Sequence, residues 1–237
     1  MSLRRRRMRK IAERMAETRA RAPSFSAGGR LNLALLVAAV PFSVYGLKGQ
    51  PLGLRLASPG WGSRNANISH VNLGYVSGHR LRPQKVVDIT QGSERPMDEL
   101  RTIEGLLHNY GPEEQRKMYS YRGDFHRDWN TERLSRSPHQ QASIEVNGQA
   151  VEVELVSWEE PQRVALARLT LGENHLQAAS LNLSQEQLLD TLGTLVILQE
   201  DGDTLAQHQQ DYAEAHQEML KRHASSTSDE EEHDQHH

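Results

Sequence analysis

Cysteine is absent from the 237 residues. That excludes a disulfide framework, thiolate-held zinc or iron–sulfur centres and a thiol nucleophile, although it does not fix a compartment. Aromatic residues make up only 5%, with 17 Gly and 9 Pro. Collagen-like and linker-like compositions are thereby excluded. With 36% apolar and 25% charged residues the chain is not wholly disordered, and its length suits one domain with appendages. No G-x-x-x-x-G-K-[ST], H-E-x-x-H or G-x-S-x-G occurs. His126-Arg127-Asp128 copies three letters of a kinase catalytic loop. The Asn due five residues after the Asp is Arg133, and Gly123-Asp124-Phe125 scrambles the metal-binding triplet, so kinase chemistry is excluded.

The net charge of -3 hides a segregation. Residues 1–30 hold ten Lys/Arg against Glu13 and Glu17, a surplus of +8, while residues 199–237 hold eleven Asp/Glu against Lys221 and Arg222, or -9. Residues 31–198 are nearly balanced. Such segregation marks physically different regions. Only one long apolar run exists, Leu31–Leu47 (LNLALLVAAVPFSVYGL), seventeen uncharged residues bracketed by Arg30 and Lys48. As a helix it reaches about 26 Å, against a bilayer core of about 30 Å. The expectation is a single transmembrane helix over 31–47. The alternatives are a cleaved signal peptide, for which no A-x-A site follows the run, and a buried segment of a soluble protein. The basic excess before the run puts the N-terminus in the cytoplasm and the rest outside. Residues 1–30 then form a basic cytoplasmic arm that meets anionic lipid, and residues 48–66, rich in Pro, Gly and Ser, a linker.

Periodicity organises residues 67–200. His70–Ser77 alternates Val71, Leu73 and Tyr75, and Gln84–Thr90 is a second strand. Met97, Leu100, Ile103, Leu106, Leu107 and Tyr110 recur at helical spacing, and Gly111-Pro112 stops that helix. Asn147-Gly148 between alternating runs predicts a tight hairpin, because both residues accept positive φ. Val164–Leu171, a turn at Gly172-Glu173-Asn174 and His175–Leu181 complete a four-stranded meander. Ser184 with Gln187 three residues on is a capping box, opening a helix striped by Leu188, Leu189, Leu192, Leu195 and Val196. Asp203–His223 is a polar helix expected to project from the core, and 224–237 an acidic, His-rich disordered tail. The fold class is α+β, a small antiparallel sheet packed by helices, preceded by the transmembrane helix.

Residues 145–195, EVNGQAVEVELVSWEEPQRVALARLTLGENHLQAASLNLSQEQLLDTLGTL, carry a Trp-bearing strand (Trp158), further strands and a Leu183-Ser184-Gln185-Glu186-Gln187-Leu188 helix start followed by Leu192. This outline resembles extracytoplasmic sensor domains of bacterial anti-sigma-type regulators and lipoprotein-carrier-like folds. The resemblance implies a curved antiparallel sheet wrapped around helices; it implies no catalytic residue.

The candidate binding loop lies within residues 119–133, where Tyr119, Tyr121, Asp124, His126, Asp128 and Trp129 mix aromatic and charged side chains in an irregular stretch. Glu159 and Glu160 are adjacent, so on a continuing strand they point to opposite faces and do not cooperate. His70, His79, His108 and His126 fall in separate elements. His208 and His216 lie eight apart on one helix face, about 12 Å by helix rise, too far to share an ion. His233, His236 and His237 are weak metal candidates on a tail too loose for a tuned site. No cofactor and no nucleic-acid partner is expected. The functional expectation is a non-enzymatic binding or sensing domain at the cell envelope, in contact with membrane lipid and a protein partner. The alternatives are an envelope enzyme using the 119–133 loop and a soluble cytoplasmic α+β protein.

Overall fold

The computed structural model describes residues 25–27, 30–64, 67–79, 82–94, 99–110, 131–160 and 162–233. In chain order β1 (Ser26–Ala27) and β2 (Arg30–Leu31) form a short ribbon, followed by α1 (Leu33–Ala39) and β3 (Tyr45–Leu47). A three-strand meander follows, β4 (Arg55–Arg64), β5 (Asn67–His79) and β6 (Arg82–Gly92). Helix α2 (Glu99–Tyr110) and a helical turn at 131–136 lead to a second meander. Its strands are β7 (Gln140–Val146), β8 (Gln149–Trp158), β9 (Val164–Leu171) and β10 (Asn174–Leu181). Then come α3 (Gln185–Leu192), β11 (Leu195–Ile197) and α4 (Gly202–His233).

The meanders fuse into one seven-stranded sheet, ordered β4-β5-β6-β10-β9-β8-β7, because β6 pairs antiparallel with β10. The fold is α+β with a large antiparallel sheet and few helices. The expected four-stranded meander is therefore one half of the sheet. Local chemistry makes its turns. Asn147 and Gly148 sit at φ 52° and 77°, and the register closes Val146 on Gln149 across a two-residue turn. Ser184 accepts from Gln187 N at 3.1 Å while the Gln187 side chain accepts from Ser184 N at 3.1 Å, the reciprocal cap its spacing predicts. Helix α3 stops at Leu192, so Leu195 and Val196 belong to β11 and not to the helical stripe.

The two faces of the sheet are covered differently. The inner face (Val71, Leu73, Tyr75, Val87, Ile89, Val153, Leu155, Ala167, Leu169, Leu176) packs against α1, β3, α3 and β11 in the main core. On the outer face α2 sets Ile103, Leu106 and Leu107 over Val76, Val86, Leu166, Ala179 and Leu181.

The Leu31–Leu47 run is not a membrane helix. Its helix is seven residues long, about 10 Å. Pro41 ends it, because a residue before proline leaves the helical region, and Val40 sits at ψ 143°. The segment then turns and pairs as β3 with β11. Leu33, Leu36, Val37 and Val40 are buried at i, i+3, i+4, i+7, and the opposite side is three alanines and Leu35. Alanine on the exposed side makes the run look apolar all round. Among the described residues no helix is long and apolar enough to cross a membrane. The expected linker at 48–66 is also corrected. Residues 55–64 are the edge strand β4, whose Pro59 is tolerable because an edge strand has one side without partners.

Helix α4 departs from expectation at both ends. Asp201 caps it, its Oδ1 accepting from Thr204 N at 3.0 Å, and also binds Lys48 Nζ at 2.8 Å. Thr204, His208 and Asp211 are buried on its first turns, so the helix begins as core. Leu205, Tyr212, Met219 and Leu220 give the sequence only a thin apolar seam, and Leu205 and Tyr212 pack against the core beside these polar side chains. Its backbone continues to His233, through residues expected to be disordered; no Gly or Pro follows Gly202 to stop it.

Candidate functional site

Strand register builds a polar row across the whole outer face. Gln141, Glu154, Arg168, Gln177, Thr90, Asn72 and Gly60 are successive cross-strand partners from β7 to β4. The neighbouring row, Val156, Leu166, Ala179, Asp88, Gly74 and Ser58, is apolar over β8–β10 and lies toward α2. Each strand thus changes from apolar to polar along one face. The apolar half is covered by α2, and the polar half over β7–β10 opens as a groove of about 610 Å³. Glu152, Glu154, Arg168, Thr170, His175 and Gln177 are among its lining residues.

The charges in this groove are mutually ordered. Glu154 Oε1 lies 2.9 Å from His139 Nδ1, and its other oxygen 3.6 Å from Arg168 Nη1. The His139 hydrogen bond, with Arg168 behind it, holds the Glu154 carboxyl below its ordinary value. Thr170 Oγ1 and His175 Nδ1 are 3.2 Å apart. At the margin under α2, Gln177 donates to Thr102 Oγ1 at 2.6 Å and Ser58 Oγ meets the Tyr110 hydroxyl at 3.0 Å. Asn72 Nδ2 lies 2.5 Å from Asp88 Oδ1 and 3.1 Å from Thr90 Oγ1. Burial pushes the Asp88 carboxyl up to about 6 against the opposing effect of Asn72. The groove therefore offers carboxylate, guanidinium, hydroxyl and amide groups side by side, a surface for hydrogen-bonding a polar ligand with groups of both signs.

A second polar group lies on the inner side. The Tyr75 hydroxyl accepts from Leu47 N at 3.3 Å and lies 3.1 Å from His208 Nε2. The tautomer of His208 sets which of the two groups donates, and its Nδ1 has no partner. Both residues are buried, and burial pushes His208 down to about 4 although Asp211 and Asp201 pull upward. Asp211 accepts from Gln50 and Gln207. The ring's close fit explains Gly46: a Cβ there would stand 2.8 Å from His208 Nε2 and 2.7 Å from Leu198 Cδ2. This group is closed by packing and serves the core.

Of the residues singled out in the sequence, Tyr119, Tyr121, Asp124, His126, Asp128 and Trp129 all lie outside the described residues, as do His236 and His237; His233 ends the α4 backbone. His70 is half-buried beside Ser69 Oγ at 3.1 Å, and burial lowers its pKa. His208 is separated from His216 by burial as well as by distance. Among the described residues no cluster of three metal-ligating side chains exists. Sequence reasoning missed Glu154, Arg168, His175 and Gln177. The signal was present as the polar positions of strands already recognised, but which polar residues adjoin depends on register. No protein-family model matches the chain, and no curated protein matches it.

Proposed function

We propose that the chain is a non-enzymatic binding or sensing domain whose ligand lies on the open half of the outer sheet face. The observation that carries this is the polar groove beside α2, where Arg168 and Glu154 stand on adjacent strands. A carboxylate on the ligand meets Arg168 and an ammonium group meets Glu152 or Glu154, so the ligand class is small zwitterionic or amide-bearing molecules. The resemblance of residues 145–195 to extracytoplasmic sensor domains supports a recognition role. The location we assign with it is a membrane surface of the cell envelope. Leu31–Leu47 cannot supply the attachment, since it is core, which leaves residues 1–24, with a surplus of +7, as the lipid-facing part.

The test is thermal shift and amide-resonance titration of the full chain with a panel of amino acids and dipeptides. A ligand that binds only the folded state raises the melting temperature with concentration. At least one panel member should do so and perturb amides of β8–β10, and Arg168→Ala should abolish the effect. No response across the panel, or an undiminished response in Arg168→Ala, removes this reading.

A further inference from the structure

The two edges of the sheet differ in protection. β4 carries Pro59, Gly60 and Gly62, breaks register twice against β5 and packs against α4. These are devices that keep an edge from pairing with another chain. β7 has no proline, glycine or register break, and α3 packs beside only part of it. It reads QQASIEV, without Pro, Gly or Lys, its register with β8 is unbroken, and among the described residues no strand pairs with its other side.

The hairpin register says which backbone groups face outward. Residues flanking a two-residue turn exchange both backbone bonds, and alternate pairs follow. Val146, Ile144 and Ala142 therefore bond to β8, while Glu145, Ser143 and Gln141 turn their N–H and C=O away from it. Gly193 agrees on the direction and limits the open stretch: a Cβ built there would lie 3.5 Å from the Glu145 carbonyl oxygen, so the end of α3 covers the edge at Glu145 and leaves Gln141–Ser143 open. Beside this edge a groove of about 670 Å³ runs between β7 and α3. Ile144 and Leu189, half-buried at the margin of the core, form its apolar part. Glu145, Glu186 and Asp190 are exposed around it, and no Lys, Arg or His lines it.

We propose that β7 and α3 form a docking site for an extended basic peptide of a partner protein, added as an eighth strand beside Gln141–Ser143. Main-chain bonds to the outward groups give the affinity, and alternate side chains give the selectivity. One apolar side chain rests on Ile144 and Leu189, and Lys or Arg two residues to either side meets Glu186 and Asp190. Charge complementarity fixes the partner class, since the groove carries three carboxylates and no cation. The site is distinct from the outer-face ligand groove and shares only the rim residue Gln141 with it.

The test is fluorescence anisotropy of the full chain with a labelled peptide built on Lys-Thr-Leu-Thr-Lys. Saturable binding is expected. It should weaken about tenfold or more when the peptide's Lys become Glu, or when Glu186→Lys and Asp190→Lys are combined. Ser143→Pro removes an outward N–H without touching the ladder to β8, and should abolish binding while circular dichroism stays native. Should that variant not fold, the peptide N-methylated at alternate residues tests the same bonds and should not bind. Zwitterions from the outer-face assay should not displace the probe, so either site can fail without the other. Absence of binding, binding that survives both the charge reversal and the backbone block, or a dimer abolished by Ser143→Pro overturns the proposal; the last would mean that a second copy occupies the edge.

Discussion

At the residue scale two buried titratable groups pull stability in opposite directions. The Asp88 carboxyl, raised to about 6 in the fold, holds its proton more tightly there than in the unfolded chain, so its contribution falls as pH rises through about 4 to 6. His208, lowered to about 4, binds its proton more tightly in the unfolded chain, so its contribution falls as pH drops from about 6.5 to 4. Each is on the order of 3 kcal/mol. The slopes oppose one another between about pH 4 and 6, so Asp88 offsets much of the acid sensitivity of His208 there in urea melts. Asp88→Asn should gain up to about 3 kcal/mol at pH 7.5, gain nothing at pH 4 and expose the acid sensitivity of His208. His208→Gln should expose the opposite slope. Parallel profiles for the native chain and Asp88→Asn would show that folding does not raise the pKa of this carboxyl. Gln91 acts by hydrogen bonding alone. Its side-chain amide is completely buried and bonds both backbone groups of Tyr45, at 2.7 and 2.8 Å. Gln91→Leu leaves both groups unpaired and should cost about 2–4 kcal/mol by urea denaturation.

At the scale of elements, α1 decides between two environments for the same apolar run, and substitutions separate them. A helix in lipid suffers from a charge on either side. In this fold Leu36 is fully buried and Leu35 is 51% exposed. Leu35→Glu should therefore change stability by no more than about 0.5 kcal/mol. Leu36→Ala should cost about 2–5 kcal/mol, because it opens a cavity in the main core. Equal effects of the two would remove α1 from the core. The elements that were legible share a local cause. The Asn147-Gly148 hairpin, the Ser184–Gln187 cap and the period of α2 each depend on φ preference or side-chain spacing within a few residues. The illegible ones lack such a cause. β4 contains Pro59 and five small residues and reads as a linker, yet pairing with β5 makes it a strand. The first turns of α4 bury His208 and Asp211 because their partners, Tyr75 and Gln50, come to them from elsewhere. The candidate site divides the same way: alternation within β8, β9 and β10 shows polar positions, and only cross-strand register sets Glu154 beside Arg168.

At the scale of the whole molecule, attachment to a membrane now turns on the arm. With Leu31–Leu47 in the core, binding to vesicles containing phosphatidylserine should require residues 1–24, fall steeply between low and physiological salt, and be absent on neutral vesicles. Retention by a chain lacking those residues would transfer the attachment elsewhere. The amino-acid sequence alone determined the segregation of charge, most strands of the sheet and the two best-defined local motifs, since charge, alternation and turn chemistry act between neighbours in the chain. Only the tertiary structure decided the environment of Leu31–Leu47. Hydrophobicity shows that such a segment leaves water and does not distinguish a bilayer from a protein interior. What distinguishes them is the supply of partners for its non-helical backbone, and here these are Gln91, Asn174, Gln199 and Gln209, side chains 46 to 176 residues away in the chain.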